Sequence, residues 1–407
     1  MKQVWLLNHY ATDPSGAGGT RHFHLAEHLT AFGWQASIIA ASVDHSDGHQ
    51  RLEADEHQRV EYLQGVPFLW IKTPTYRGNG VGRVWNMLAY TLAVLRPQTT
   101  AGLPRPDAVI GSSVHPFAAV AGALLAHRFK VPFLFEVRDL WPQTLIDMGR
   151  LKEGSWITWA MRKLELWLYR RAACTIVLLP RAWRYIVPLG IPKERVVWIP
   201  NGVDLSLFFS AAPKSPSADG SFTMMYFGAH GQANGLDNVL QAMAKLQKMP
   251  EGQRIHLRLI GDGPLKPRLI AQAASLGLGN VSFEPPVPKR EIPMLACQAD
   301  AFVISVNHLP NLYRFGVSMN KIFDYLASGR PILIASDIPD NPVAEAEAGF
   351  VVPPAQPQAL ANAILRMVQT PIDERQRMGR SGRQYVERNH DFEFLAKRLA
   401  DTLDSVL

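Results

Sequence analysis

Residues 311–331 combine the residue types that a diphosphate site needs. Ser318 is of a type that caps helices, and the first turn of the helix it would cap carries Asn320 and Lys321. The N–H groups of a helix N-terminus, together with a lysine, attract a diphosphate. Asp324 lies one turn further along the same side, where its carboxylate can accept hydrogen bonds from ribose hydroxyls. A capped helix with an internal Lys321–Asp324 ion pair is the alternative.

A glycine-rich loop lies between the first strand-like run and the first helical period. Gly18 and Gly19 there would let the backbone approach a phosphate beside the helix N-terminus. A dinucleotide-binding loop is a rival interpretation, but its G-x-G-x-x-G pattern directly follows the strand, whereas residues 8–15 intervene here. Because Asp44 could imitate the ribose-binding acid, a dehydrogenase stays open, as does a glycine-rich turn without a ligand.

Two further positions carry polar residues directly after apolar strands. His115 follows a strand at residues 108–110 and is placed to hydrogen-bond a sugar hydroxyl, although a loop histidine is usually uncommitted. Glu136, Arg138 and Asp139 follow another apolar strand, and charges at the carboxyl end of a strand in an α/β protein indicate a site. A local Glu–Arg–Asp network is the alternative.

The elements that must position these residues alternate between strand-like apolar runs and helical periods. Such alternation predicts parallel sheets with crossover helices, and it places ligands at the carboxyl ends of the strands. The predicted strands of the first half are residues 4–7, 35–40, 108–110, 133–135, 175–179 and 196–199. Those of the second half are residues 222–227, 256–260, 301–304 and 331–334.

The length and a break in the pattern predict two domains. A chain of 407 residues exceeds the size of a single hydrophobic core. A polar Pro- and Ser-rich stretch at residues 211–220 lacks periodicity and indicates a linker. We predict a first domain at residues 1–205, a linker at 206–221 and a second domain at 222–385. A C-terminal helix within residues 386–407 is expected to pack back on the first domain.

Composition and charge narrow the class of protein. Apolar residues make up 47% of the chain and charged residues 19%, as in ordinary soluble proteins. The formal net charge is +7, and residues 150–195 hold ten basic residues against three acidic ones. That excess suits an anionic surface or ligand, or a solvated basic face. Two distant cysteines, no signal-peptide pattern and no bilayer-spanning apolar run predict a cytoplasmic protein, soluble or peripheral.

An ordered series of motifs resembles family 4 of the retaining glycosyltransferases, a large group with the GT-B fold. The motifs cover essentially the whole chain, and they look closest to the branch that makes bacterial surface polysaccharides, whose members often transfer N-acetylated amino sugars. The resemblance implies an α/β, GT-B fold of two Rossmann-like domains facing across a cleft. The motifs are Gly18–Gly19, Glu136–Pro142, Ile199–Asp204, Gly228–Asp237, Gly261–Pro264 and Gly316–Pro331.

The resemblance also assigns roles to individual residues. The implied catalytic residues are His115, Asp139, Arg314 and Lys321. The implied donor-binding residues are Gly18, Gly19, Gly228, Gly261, Val287, Gly316, Val317, Ser318, Asn320 and Asp324.

The chain departs from the family pattern in two places. The family typically has two glutamates eight positions apart, where this chain has Gly316 and Asp324. The backbone at residues 316–318 can then hold the donor sugar, while Asp324 keeps a carboxylate for the ribose. The loop at residues 228–235 lacks the arginine and lysine that the family tends to have, so Arg314 and Lys321 are the best cations for the leaving diphosphate.

The resemblance implies a retaining, metal-independent transferase of the hexosyltransferase type that uses no cofactor. Its donor would be a nucleotide-sugar, expected to be UDP-linked. Its acceptor would be a lipid-linked saccharide or glycan in the biosynthesis of a surface polysaccharide such as lipopolysaccharide or capsule. No nucleic-acid partner is expected. A sugar-nucleotide epimerase of the same fold and a non-catalytic sugar-nucleotide binder remain alternatives.

One segment of the first domain predicts peripheral contact with the inner face of the cytoplasmic membrane. Aromatic and basic residues mixed at helical spacing suit an interfacial helix on anionic lipid. Apolar residues 84–95 offer a second patch, and packing of both faces inside the protein is the alternative. The segment contains Trp156, Trp159, Leu164, Trp167 and Leu168 together with Arg162, Lys163, Arg170 and Arg171.

Overall fold

The structure is a computed structural model that describes residues 1–14, 20–45, 48–76, 78, 80–208 and 219–407. It contains two compact units, one formed by Met1–Asn201 with Phe392–Leu407 and the other by Gly202–Asp391. The chain returns to the first unit at Phe392 rather than at the predicted residue 386, because the helix before it packs within the second unit. Most of the predicted linker lies outside the described residues.

The first unit is an α/β layer structure. Its strands are β1 (Lys2–Leu7), β2 (Trp34–Ala41), β3 (Gln58–Leu63), β4 (Val66–Ile71), β5 (Ala108–Ser112), β6 (Phe133–Val137), β7 (Cys174–Val177) and β8 (Val196–Trp198). Its helices are α1 (Arg21–Leu29), α2 (Val81–Val94), α3 (Pro97–Thr100), α4 (Pro116–Phe129), α5 (Gln143–Asp147), α6 (Trp156–Arg171), α7 (Trp183–Ile186) and, after the second unit, α16 (Phe392–Asp404).

The strands of this unit form one sheet in the order β3-β4-β2-β1-β5-β6-β7-β8. Neighbouring strands from β4 to β8 are parallel, which confirms the prediction for most of the sheet. The exception is the edge strand β3, which pairs antiparallel with β4 and which sequence analysis missed. Gln64 and Gly65 both have positive φ and form the tight turn that this hairpin requires.

Helices cover both faces of the first sheet. Val4 and Leu6 of β1 pack in one core with α1 and α16. The alternate residue Trp5 faces the other side, where its ring contacts Phe129 of α4. Helix α4 packs against both α2 and α6, so these three helices form one layer.

The second unit repeats the plan with a fully parallel sheet in the order β11-β10-β9-β12-β13-β14. Its strands are β9 (Phe222–Phe227), β10 (Ile255–Ile260), β11 (Val281–Glu284), β12 (Ala301–Ser305), β13 (Ile332–Ala335) and β14 (Gly349–Val352). Its helices are α8 (Leu236–Leu246), α9 (Lys266–Ser275), α10 (Ile292–Ala296), α11 (Pro310–Tyr313), α12 (Asn320–Ala327), α13 (Pro342–Glu345), α14 (Pro357–Gln369) and α15 (Ile372–Asn389). Each face of the sheet carries its own apolar core.

Candidate functional site

The side chain of Lys321, in the first turn of α12, lies at the carboxyl end of β9. Its Nζ donates a hydrogen bond of 2.7 Å to the hydroxyl of Tyr226 and another to Oδ1 of Asn234. The Tyr226 hydroxyl and the Asn234 amide both donate to the carbonyl of Ala229, at 2.7 and 2.8 Å. Each side chain directs a donor at that carbonyl. The phenol oxygen of Tyr226 and Oδ1 of Asn234 then face Lys321 as acceptors.

Neutral groups thus hold the Lys321 ammonium. Among the described residues no carboxylate forms an ion pair with it. Burial lowers the pKa of Lys321 to about 7, because the charged form loses hydration without gaining an opposite charge. A partly buried cation without a counter-charge is stabilised when an anion binds beside it.

Two glycines allow the loops around Lys321 to approach closely. At Gly228 a Cβ would lie 3.2 Å from Cε of Lys321, and at Gly261 it would lie 2.1 Å from the carbonyl oxygen of Gly228. Both glycines also have positive φ, at 150° and 140°. These positions, predicted as donor-binding, therefore bring the β9 and β10 loops together around the lysine.

Asp324 lies one turn beyond Lys321 on α12, but its carboxylate pairs with Lys289 instead of Lys321. Its two carboxylate oxygens accept hydrogen bonds of 2.5 and 2.6 Å from Nζ of Lys289. The alternative of an internal Lys321–Asp324 pair is therefore wrong, because each side chain has found a partner from another element. Lys289 follows Val287, a predicted donor-binding residue that packs at the edge of an apolar core of the second unit.

The remaining predicted residues of this segment have mixed outcomes. Met319 rather than the predicted Ser318 occupies the N-cap position of α12, and the Met319 side chain makes no capping hydrogen bond. Gly316 has φ of 91°, a conformation that a glutamate would adopt only with strain. Asn320 and Arg314 are exposed, and the Arg314 guanidinium lies 4.8 Å from the centroid of the Phe315 ring. Val317 is buried in the apolar core.

In the first unit Glu136 is the centre of a buried ionic cluster. Its carboxylate accepts hydrogen bonds from Arg21 Nε at 2.9 Å and contacts His22 Nε2 at 2.6 Å. The other nitrogens of Arg21 donate to the carbonyls of Ile199 and Pro200. Burial alone would raise the pKa of Glu136, but His22 and Arg21 outweigh it and hold the pKa well below its usual range. The arginine that hydrogen-bonds Glu136 comes from α1, while the charge of Arg138, from the predicted local Glu–Arg–Asp network, also lowers the pKa of Glu136.

His115 is buried at 1% exposure and both its ring nitrogens are engaged. Nδ1 accepts the N–H of Ala118 and caps α4, while Nε2 lies 2.8 Å from Nδ1 of His9. His9 in turn lies 2.6 Å from Oδ1 of Asn86, and burial lowers its pKa to about 3. The cap of α4 and His9 thus engage both ring nitrogens of His115, and its contact with a sugar hydroxyl stays a prediction.

Asp139 is exposed in the loop after β6. The predicted phosphate-binding glycines, Gly18 and Gly19, lie outside the described residues. Arg21 follows them at the start of α1, where the ionic cluster anchors it.

Several residues that shape these clusters escaped sequence analysis. Tyr226 carries the only hydroxyl in the last four residues of β9, and that polar atom at a strand end was the available signal. Asn234, Lys289, His9 and Asn86 left no such signal, because their partners lie 35 to 106 residues away in the chain.

Each of the two units matches a known family model. Residues 16–202 match the family model described as a glycosyl transferase 4-like domain. Residues 221–370 match the model described as glycosyl transferases group 1.

Curated relatives include two proteins of Escherichia coli K12. The putative colanic acid biosynthesis glycosyltransferase WcaL is 24% identical over 225 residues, which cover 54% of this chain and 53% of WcaL. The chain thus matches about half the length of that relative. The putative colanic acid biosynthesis glycosyl transferase WcaI is 21% identical over 297 residues, covering 69% of this chain and 70% of WcaI.

Among solved structures, HepE of Anabaena in complex with UDP and glucose has the same fold. It superposes with a TM-score of 0.67 at 17% identity and covers 100% of both chains. The likeness identifies the two parallel-sheet α/β units as those of the GT-B class.

Proposed function

The chain belongs to the glycosyltransferases, with a glycosyl transferase 4-like domain and a group 1 domain, and on that premise we propose its reaction. It transfers a sugar of the hexose type from a UDP-linked donor to a glycan or lipid-linked saccharide in surface polysaccharide biosynthesis. WcaL and WcaI carry names that refer to colanic acid biosynthesis, and HepE was solved with UDP and glucose. The anomeric configuration is retained.

One observation carries this proposal: the Lys321 ammonium is buried among neutral acceptors. The donor diphosphate supplies the negative charge that Lys321 lacks in the free protein. Charge that develops on the leaving phosphate oxygen is stabilised by a cation that is already in place and needs no reorganisation. Lys321 thus provides the positive charge at the leaving group, and we propose that no metal ion is needed for this step.

The reaction then needs no protein base. The bond between the anomeric carbon and the phosphate oxygen breaks, and a bond to the acceptor oxygen forms on the same face. The acceptor's proton passes to the departing phosphate oxygen, so atoms and charge balance. The protein contributes positioning and charge stabilisation. The first-turn N–H groups of α12, which begins at Asn320, add donors for the diphosphate.

Product analysis tests the reaction. Purified protein, treated with excess chelator and dialysed, is incubated with a panel of UDP-, GDP- and dTDP-sugars and with lipid-linked saccharide acceptors. We expect a glycosylated product whose anomeric configuration, measured by NMR, matches that of the donor. Loss of activity that magnesium or manganese restores would refute metal independence, and inversion would refute retention. Conversion of the donor sugar without an acceptor would indicate an epimerase instead.

We also propose that the layer formed by α2, α4 and α6 rests on an anionic membrane surface, where a lipid-linked acceptor is presented. The indole side chains of Trp156, Trp159 and Trp85 are 77%, 65% and 58% exposed. An apolar surface this open costs free energy in water, and indoles favour the membrane interface. Among the described residues no helix has the length and apolar character needed to cross a bilayer.

The spacing within α6 concentrates this surface on a single side. Trp156, Trp159, Lys163, Trp167 and Arg170 follow one another by three or four residues and therefore share one helical face. All five are exposed. Sequence analysis wrongly counted Leu168 in the exposed stripe, because it points into the core at 1% exposure.

Vesicle co-sedimentation tests this contact. Wild-type protein should pellet with vesicles containing phosphatidylglycerol, stay in solution with neutral phosphatidylcholine vesicles, and be released by high salt. Trp156→Ser combined with Trp159→Ser should weaken binding. Phe394→Ser, which removes a ring of α16 that is 43% exposed, is the control. Wild-type protein that remains in the supernatant with every vesicle would refute the membrane contact and leave the transferase reaction untouched.

A further inference from the structure

An open hollow of about 620 Å³ lies in the first unit, where β6 and β7 begin. This is the end of the sheet opposite to His115 and Glu136, which lie at or beyond the carboxyl ends of their strands. The floor is made of small and apolar residues, including Ala123, Ala126, Val131 and Phe133. The basic residues that line it are His127, Lys130, Arg170, Arg171 and Arg195.

None of the described residues that line this hollow is acidic. Within the described part of the chain, Lys130, Arg170 and Arg171 have no ion-pair partner, and all three are exposed. Arg195 is held in place by hydrogen bonds from its guanidinium to the carbonyls of Ala172 and Ala173. One fixed guanidinium and three uncompensated cations therefore converge on a concave, partly apolar surface.

Favourable interactions between basic side chains and helix C-termini do not explain why these cations line one hollow. Cations in the last turn of a helix interact favourably with its carbonyl groups, which explains one or two basic residues at the end of α4 and of α6. Lys130 lies beyond the last residue of α4 with a positive φ of 57°, and Arg195 comes from the segment before β8. Both still line the same hollow.

The hollow also continues the exposed face of α6. Trp167 precedes Arg170 and Arg171 by three and four residues, so its indole lies beside them on the helix surface. An indole at the level of lipid headgroups, next to paired guanidinium groups, is suited to a phosphate at the membrane surface.

We propose that this hollow binds the phosphate of an anionic lipid headgroup. The two arginine side chains of α6 bind the phosphate oxygens through paired N–H donors, Lys130 adds charge, and the apolar floor accepts the glycerol backbone. This inference rests on the proposed membrane contact and assigns it a headgroup site, at a place distinct from the donor cluster around Lys321.

Charge-conserving variants separate a phosphate site from general attraction to a charged surface. Arg170→Lys with Arg171→Lys keeps both charges but removes the planar forks that pair with phosphate oxygens. We expect its partition onto phosphatidic acid vesicles to fall about tenfold relative to wild type, because the bidentate bonds are lost. Lys245→Gln with Lys248→Gln removes two exposed charges of the second unit, one in α8 and one two residues beyond it, and should bind as wild type does.

Competition by soluble inorganic diphosphate is a second, independent test that uses only the wild-type protein. It should displace wild-type protein from phosphatidic acid vesicles at concentrations where sodium chloride of equal ionic strength does not. Unchanged binding by the Arg-to-Lys protein, or displacement by chloride alone, would overturn the headgroup site while leaving membrane contact intact. Wild-type protein that binds no vesicle at all would overturn both.

Discussion

Two cations have opposite environments, the buried Arg21 in the first unit and the partly buried Lys321 in the second. Arg21 pairs with the Glu136 carboxylate at 2.9 Å and donates to two backbone carbonyls. Lys321 contacts only a phenol hydroxyl and an amide oxygen among the described polar side chains. The first cation is compensated inside the protein and the second is not.

The presence or absence of a counter-charge distinguishes a cation that stabilises the fold from one that can bind a ligand. A compensated buried pair fixes the start of α1 against the segment at residues 199–200, and it leaves little positive potential for a ligand. An uncompensated ammonium destabilises the free protein but becomes favourable when an anion arrives. We therefore propose that the anionic substrate binds at Lys321 and that Arg21 has a structural role.

The largest effect is expected when the compensated pair is broken. Arg21→Met leaves Glu136 buried without its guanidinium, and removal of one partner of a buried pair costs about 3–5 kcal/mol. Urea denaturation of the purified variant measures this loss. Adding Glu136→Gln to Arg21→Met should recover part of it, because no buried charge then remains. A loss below about 1 kcal/mol would mean that Arg21 is not the structural anchor.

Lys321→Met should show the reverse pattern. Transition-state stabilisation should fall by about 2–4 kcal/mol in kcat/KM, because the developing phosphate charge loses its cation. The free energy of unfolding should stay the same or rise, since a poorly hydrated ammonium is removed. Lys245→Met, which changes an exposed lysine of α8, is the control for both measurements. Normal turnover by the Lys321 variant would contradict its assignment.

A smaller effect on ligand binding is expected from substitution of Asp324. This residue shares α12 with Lys321, and its charge is paired with that of Lys289. If its carboxylate accepts ribose hydroxyls while Lys289 orients it, Asp324→Asn should weaken UDP binding about tenfold. Lys289→Met should weaken it less, and the two changes should be non-additive in a double-mutant cycle. UDP affinity equal to that of wild type, with lower stability, would make the Lys289–Asp324 pair purely structural.

Sequence analysis predicted the fold better than the contacts within the site. Runs such as residues 222–227 are mostly apolar and are followed by glycine, so β9 was predicted with its observed limits. The half-exposed strand β3 gave no such run and was missed. The segment at residues 311–331 was predicted as a diphosphate site from its own residues, whereas the partners of Lys321 and Asp324 come from other elements. Spacing along one helix cannot reveal a partner 95 residues away, as Tyr226 is from Lys321.

Proton uptake on UDP binding tests the central claim most directly. The lowered pKa of Lys321, about 7, leaves the side chain mostly neutral in the free protein at pH 8. A bound diphosphate favours the charged form and raises that pKa, so binding should draw close to one proton from solution. UDP affinity should correspondingly fall as the pH rises above 7.

Calorimetric titration of UDP at pH 8, in buffers of different ionisation enthalpy, counts that proton. The account predicts uptake approaching one proton in wild type and none in Lys321→Met, which should also bind UDP more weakly. Equal proton uptake by both proteins, or none by the wild type, would contradict the assignment of Lys321 as the receptor for the donor diphosphate.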